Sequence, residues 1–365
     1  MTDVVVIGGG VIGMLTAREF ALNGANVKLL ERKSIGCEAS WAGGGILSPL
    51  YPWRQANAIT VLCRWSQNQY PELVDSLAVA TGIDLELAKT GILITDDPCG
   101  GETENWCQVN SVEFSRLSEE NIQNFGSGLH CSAENPIYLP DVAHLRNPRL
   151  LKALSMSLEQ TGVKILEGCR VLGLVVEKQH IHCLKTHQGR VFGDQFVLAA
   201  GAWTPQIGAG LLTGCQVEPI KGQMILFKTE PDILSTIVVD HGRYFIPRKD
   251  GRILVGSTVE KSGFDRSTTE VGRTELEEFA YSRMPTLKKF PLEKHWAGLR
   301  PGTPSGMPYI GVHPVINNLT VNCGHFRNGF AMGPASARLL ADLVLKRDPI
   351  VCADPYSLDR EESDH

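Results

Sequence analysis

The stretch DVVVIGGGVIGMLTAREFALNGANVKLLER, residues 3–32, carries the reading of the fold. Residues 4–7 form an unbroken apolar run, the pattern of a strand buried on both faces. Gly8, Gly10 and Gly13 follow at G-x-G-x-x-G spacing and open a helical pattern with Ala17 at the close-packing position. Gly8 suits the tight turn, Gly10 lets backbone approach a pyrophosphate, and Gly13 lets helix and strand touch. The helix N-terminus then offers N–H groups to the phosphates. A second strand over 27–30 ends in Glu31, 18 residues after Gly13, where a carboxylate can accept hydrogen bonds from an adenosine ribose. An acid there disfavours a 2′-phosphate, which sets NADP aside and leaves NAD or FAD.

Two further apolar runs end in glycine, 196–200 before Gly201 and 319–323 before Gly324. Ligands of open α/β sheets sit outside the carboxyl ends of the strands. Three such ends, from the start, middle and end of the chain, predict one site and a discontinuous α/β domain. Helical periodicity covers 149–161, 273–283 and 334–346, the last with Pro334 expected in its first turn. Short strands near 163–166, 171–177 and 180–185 read as an antiparallel meander, and 217–259 is a second β-rich stretch in a different layer. The division expected is a Rossmann-like two-dinucleotide fold from 1–85, 141–214 and 297–365. The remainder, 86–140 and 215–296, is expected to form an α+β substrate domain around an antiparallel sheet.

Composition narrows the partners. Lys plus Arg is 35 against 40 for Asp plus Glu, a net charge of -5, which argues against nucleic-acid binding by bulk charge. Charged residues at 21% and hydrophobic residues at 43% exclude general disorder. No apolar run reaches membrane-spanning length, and the N-terminus lacks the basic flank of a signal peptide. The 10 cysteines show no C-x-x-C pair and read as free thiols of a cytoplasmic protein. His180 and His182 share a strand face without an evident third ligand, so no metal is expected.

The choice between nicotinamide and flavin rests on two more segments. EASWAGGGI, 38–46, has the small side chains that admit backbone contact with a flat ligand, against the plainer reading of a surface loop. VLAAGAW, 197–203, returns an apolar strand with a Gly-Ala break, which a nicotinamide enzyme does not need. With GLRPGTPSGMPYIG at 298–311 and GHFRNGFAMGPASARLLADLV at 324–344, nearly the whole chain resembles the D-amino-acid oxidase family of FAD-dependent amine oxidases. Within that family it is most similar to the glycine-oxidising branch of thiamin biosynthesis. One departure is Ser305, where many relatives carry Asp in the turn; Ser also suits a turn.

The resemblance implies noncovalent FAD. It places Val11 and Ile12 against the cofactor beside Gly8, Gly10 and Gly13, with Glu31 and Arg32 at the ribose. Isoalloxazine and pyrophosphate contacts fall on Ala39, Ser40, Gly44, Gly45 and Ile46, with the Val171 backbone at the adenine and Gly201 at the middle strand end. His325, Phe326, Arg327, Asn328, Gly329 and Phe330 would cover the flavin edge. Covalent attachment through Cys323 is conceivable but not expected. Trp41 and Trp203 read equally as flavin neighbours or core, and Trp53 and Trp65 as core or lid. For substrate it points to Arg300, Tyr244 and Arg327. Arginine holds a carboxylate through two parallel hydrogen bonds, which agrees with Arg300; Tyr244 also reads as a half-buried core tyrosine and Arg327 as a loop arginine. The implied reaction is hydride transfer from a small amino acid to flavin N5. Dioxygen then reoxidises the flavin, giving peroxide, and no side-chain base is required. A sarcosine or D-amino-acid oxidase or dehydrogenase of the same fold is the alternative, and a noncatalytic flavin-binding interaction protein the alternative of another class. A homo-oligomer, a tetramer in the family, is implied as well.

Overall fold

Strand Asp3–Ile7 pairs in parallel with Asn26–Leu30 on one side and Gln195–Leu198 on the other. The second of these pairs in parallel with Leu319–Cys323, so the three glycine-terminated runs lie side by side in one sheet. The computed structural model describes residues 2–97, 101–126, 128–131, 134, 136–208, 210–212 and 214–360. Its first sheet has six strands, closed at one edge by antiparallel Tyr309–Val312 and at the other by parallel Lys164–Leu166. Helices Val11–Leu22 and Gly329–Val344 cover one face and pack on each other and on helix Asn57–Thr81. A three-stranded meander, Val171–Glu177, His180–Thr186 and Gly189–Val191, packs on the other.

The second sheet has eight strands in the order Leu292–Gly302, Glu218–Lys228, Arg252–Gly256, Arg243–Pro247, Ile237–Asp240, Ile92–Ile94, Ile137–Leu139 and Ser115–Arg116. Strand alternation sends Phe245 and Val255 to the face covered by helix Glu270–Arg283, and Tyr244, Ile246 and Leu254 to the opposite face. That opposite face looks toward the six-stranded sheet across the cavity described below.

Three expectations need correction. Residues 164–166 are the parallel edge of the first sheet, not part of the meander, whose third strand is Gly189–Val191. A strand three residues long carries too little alternation to reveal which sheet it joins. The boundary drawn at 296/297 cuts strand Leu292–Gly302, which is bonded to Glu218–Lys228 along its length. Pro334 lies inside helix Gly329–Val344 rather than in its first turn. Proline cannot donate to the carbonyl four residues back. Here that Phe330 carbonyl accepts from the Tyr70 hydroxyl at 2.6 Å, and the next amide, Ala335 N–H, donates to Ser66 Oγ at 3.0 Å. Helix Asn57–Thr81 thereby satisfies the break, and the helix reaches back to the loop at 325–328.

Candidate active site

The carboxyl ends of the parallel strands and the inner face of the eight-stranded sheet enclose a cavity of about 460 Å³. Every candidate site residue from the sequence lines it except Gly13, which lies just beneath. A Cβ on Gly13 would stand 1.8 Å from the Gly8 carbonyl oxygen, so its absence lets the helix sit on the turn. Gly8 adopts φ +115 and a Cβ there would lie 2.4 Å from the Ala199 carbonyl oxygen. Helix Val11–Leu22 opens from Gly10 with no acidic residue in its first turn, which leaves its positive end to an anion. Ser40 Oγ accepts the Val11 N–H at 2.9 Å and so ties the 39–46 segment to this helix start.

Glu31 is buried. One carboxylate oxygen accepts from Gly9 N–H at 2.9 Å and the other from Lys33 N–H at 3.0 Å. Each oxygen keeps lone-pair capacity for a hydroxyl pair. Beside it the Arg32 guanidinium lies 3.6 Å over the Trp203 ring and bonds Glu38 at 2.7 Å. The glycine cradle, the helix start and this acid fit the pyrophosphate and ribose of FAD.

The 43–47 segment is held from behind. Arg248 donates to the carbonyls of Gly44 at 2.7 Å and Leu145 at 2.9 Å, and Asn147 Nδ2 to those of Ser40 and Trp41 at 2.7 and 2.8 Å. Burial lowers the Arg248 pKa to about 10, which leaves it charged near neutrality. A Cβ on Gly44 would meet Ile246 at 2.6 Å. On the last strand, Cys323 is buried with its Sγ 4.0 Å from Cys215. That contact and burial raise its pKa and favour the thiol form. His325 is buried with Nε2 2.9 Å from Ser336 Oγ, and burial depresses its pKa to about 3.

The opposite wall is cationic. Arg300 stands on strand Leu292–Gly302, with Nη2 donating to Ser257 Oγ at 2.6 Å and Nη1 to the carbonyls of Thr258 at 3.2 Å and Lys221 at 3.5 Å. These acceptors are neutral. Among the described residues neither Arg300 nor Arg327 is ion-paired to a carboxylate. Three of the five guanidinium N–H donors meet these neutral acceptors and Tyr244 adds a side-chain hydrogen bond, so the positive charge stays available to an incoming carboxylate. Burial lowers the Arg300 pKa, while Tyr244 opposes that shift and Arg327 adds to it, so the three lie within electrostatic reach of one another. The Tyr244 hydroxyl rests 3.8 Å from Met224 Sδ.

Some residues escaped the sequence reading. A Cβ on Gly222 would stand 2.1 Å from Arg300 Nη2, so this strand glycine makes room for the guanidinium. An isolated glycine within a strand signals such close approach and could have been noticed. Arg248 continues the alternation of Tyr244 and Ile246, and a period of two could have placed it on the inner face. Tyr51 had no signal. Its hydroxyl accepts from Gly242 N–H at 2.8 Å and meets Asp96 at 2.9 Å, which fixes a wall of the cavity.

A dinucleotide cradle facing a cationic, carboxylate-free wall defines a flavin-linked oxidoreductase. Residues 3–343 match the family model described as "FAD dependent oxidoreductase", DAO, and the chain belongs to this family. It is 44% identical over 355 residues to the glycine oxidase of Pseudomonas aeruginosa, covering 97% of this chain and 98% of that protein. It is 30% identical to the bifunctional protein ThiO/ThiG of a Nostoc species, covering 99% of this chain and 56% of that protein. The crystal structure of glycine oxidase from Geobacillus kaustophilus superposes with a TM-score of 0.93 at 27% identity, and each chain is wholly covered. FAD is the cofactor of this family. No helix among the described residues is long and apolar enough to cross a membrane.

Proposed function

We propose that the protein catalyses FAD-dependent oxidative deamination of glycine and other small amino acids. Glycine, dioxygen and water give glyoxylate, ammonia and hydrogen peroxide. The observation that carries this is the Arg300 guanidinium, held by neutral groups without a carboxylate partner among the described residues, facing the dinucleotide cradle across a single cavity. Gly8, Gly10, the helix start at Val11 and Glu31 would hold the pyrophosphate and ribose, and Gly44 to Ile46 with the 325–330 loop would flank the isoalloxazine. Bound FAD supplies the two-electron acceptor. Arg300 receives the substrate carboxylate, Tyr244 donates a further hydrogen bond to it, and Arg327 adds positive potential at the mouth. With its acid end fixed, a small substrate has little freedom left, so orientation supplies much of the catalysis. A substrate amine bound in its neutral form needs no side-chain base. His325, its pKa depressed to about 3, is neutral and carries no charge toward the site.

In the same reading the protein is cytoplasmic and homo-oligomeric, a tetramer by family resemblance. Its imine product feeds formation of the thiazole of thiamin. Fusion of a similar chain to a second unit in ThiO/ThiG proteins supports that last step. A panel of glycine, sarcosine, small D-amino acids and simple amines, read out as peroxide, tests the assignment. Glycine is expected among the best substrates, and a panel without peroxide from any member would refute it.

A further inference from the structure

Lys221 lies on strand Glu218–Lys228 with only 2% of its side chain exposed, and it does not line the cavity. Burying a lysine is costly unless its partners satisfy it. Nζ lies 3.1 Å from Glu260 Oε2 and 3.2 Å from Asp265 Oδ2, and it donates to the Ser267 carbonyl at 3.3 Å. All three partners belong to the segment that leaves strand Arg252–Gly256 and runs through 257–267. The backbone repeats the attachment, since Lys221 and Glu260 exchange N–H to carbonyl hydrogen bonds at 2.9 Å each way.

From this staple a continuous polar path leads to the guanidinium of Arg300. Glu260 Oε1 accepts from Thr258 Oγ1 and, at 2.8 Å, from Gln223 Nε2. Thr258 Oγ1 in turn accepts the Gln223 N–H at 2.9 Å. The Thr258 carbonyl and Ser257 Oγ are two of the three acceptors that orient Arg300. The third is the carbonyl of Lys221 itself. A guanidinium on a flexible stem has many rotamers, and a fork is useful only if it is aimed in advance.

We propose that Lys221 is a positioning residue: by pinning Glu260 and Asp265 it fixes Ser257 and Thr258, and these aim the fork of Arg300 into the cavity. The proposal deepens the reading of Arg300 as carboxylate anchor and rests on it. Acetate serves as the probe, titrated into the holoprotein and followed by the change in flavin absorbance. Residues that share one hydrogen-bond network are energetically coupled, so Lys221→Met should raise the acetate Kd about tenfold. The KM for glycine should rise with it. Glu260→Gln, at a partly exposed position that tolerates the change, should move both in the same direction by a smaller factor. Lys221→Arg should restore both to within about threefold. Turnover of an amine without a carboxylate should not change in any of these variants. If Lys221→Met does not accumulate as folded protein, Glu260→Gln and Lys221→Arg decide. A purely structural role would lower the thermal midpoint of the variants and leave the acetate Kd and the glycine KM at wild-type values, which overturns the proposal. Arg300→Ala separates the two readings. If it binds acetate like wild type, the anchor assignment itself is wrong. If it loses acetate while the Lys221 and Glu260 variants keep it, only the staple is wrong.

Discussion

Gly8, Gly10 and Gly45 meet the cavity with backbone, whereas Arg300, Tyr244 and Ser257 meet it with side chains. On the first wall the chain comes close because side chains are missing. Added atoms there collide, as at Gly8 with the Ala199 carbonyl. On the second wall the chemistry sits at the ends of side chains that neighbouring strands hold. The contrast suits the two ligands: a large cofactor offers area for many weak backbone contacts, and a small acid offers one group that a single fork must grasp. Damage should divide along the same line, with additions to the first wall affecting FAD and truncations on the second affecting the amino acid.

The largest effect expected is that of Arg300→Ala. A carboxylate left unpaired in a secluded site costs several kcal/mol of transition-state stabilisation, so kcat/KM for glycine should fall by a factor on the order of a thousand. FAD content should stay normal. Arg300→Lys keeps the charge without the fork and should fall less. Glu31→Ala is expected to weaken FAD by about 1.5–3 kcal/mol, the worth of a hydrogen bond to a charged group, with little change in turnover of the loaded protein. Titration of the apoprotein with FAD measures this, and an unchanged Kd would place Glu31 outside the ribose site. Gly8→Ala should also weaken FAD and cost about 1–3 kcal/mol of stability, since its φ of +115 and its contact with Ala199 both oppose a side chain.

A further effect concerns pH and bears on neither ligand. Burial depresses His144 and His325 to about 3 each. An unfolded histidine takes up its proton near pH 6.5, so between that pH and about 3 the unfolded chain binds more protons than the folded one. Stability is therefore full above about pH 6.5. It declines as the pH falls, by up to about 1.4 kcal/mol per pH unit for each histidine. Urea unfolding at pH 7, 6 and 5 should show this slope, and His325→Asn should reduce it by half. A flat profile would mean that both rings protonate freely in the folded state.

The two walls also differed in how far they could be read from sequence. The cradle is local: Gly8, Gly10, Gly13 and Glu31 fall within two dozen residues, and their spacing follows from the strand, turn and helix they join. The 38–46 segment was legible for the same reason, since runs of small residues admit close contact. The supports of the substrate wall are not local. Lys221 and Gly222 reach Arg300 because Ile220 and Arg300 are register partners, and Ser257 reaches it because Met224 and Gly256 are partners on the next pair of strands; no spacing along the chain encodes either register. Pro334 misled for a related reason: its place inside a helix depends on Tyr70 and Ser66 from a distant helix to satisfy the groups that proline leaves free.

The central claim is that both walls serve one reaction, with FAD on the backbone side and glycine on the side-chain side. Mixing the purified yellow holoprotein with glycine under strict anaerobiosis tests it most directly. The visible flavin absorbance should bleach, with the imine product hydrolysing to glyoxylate, and admitting air should restore the absorbance with release of peroxide. A flavin that stays yellow in saturating glycine, yet bleaches with a chemical reductant, would contradict it.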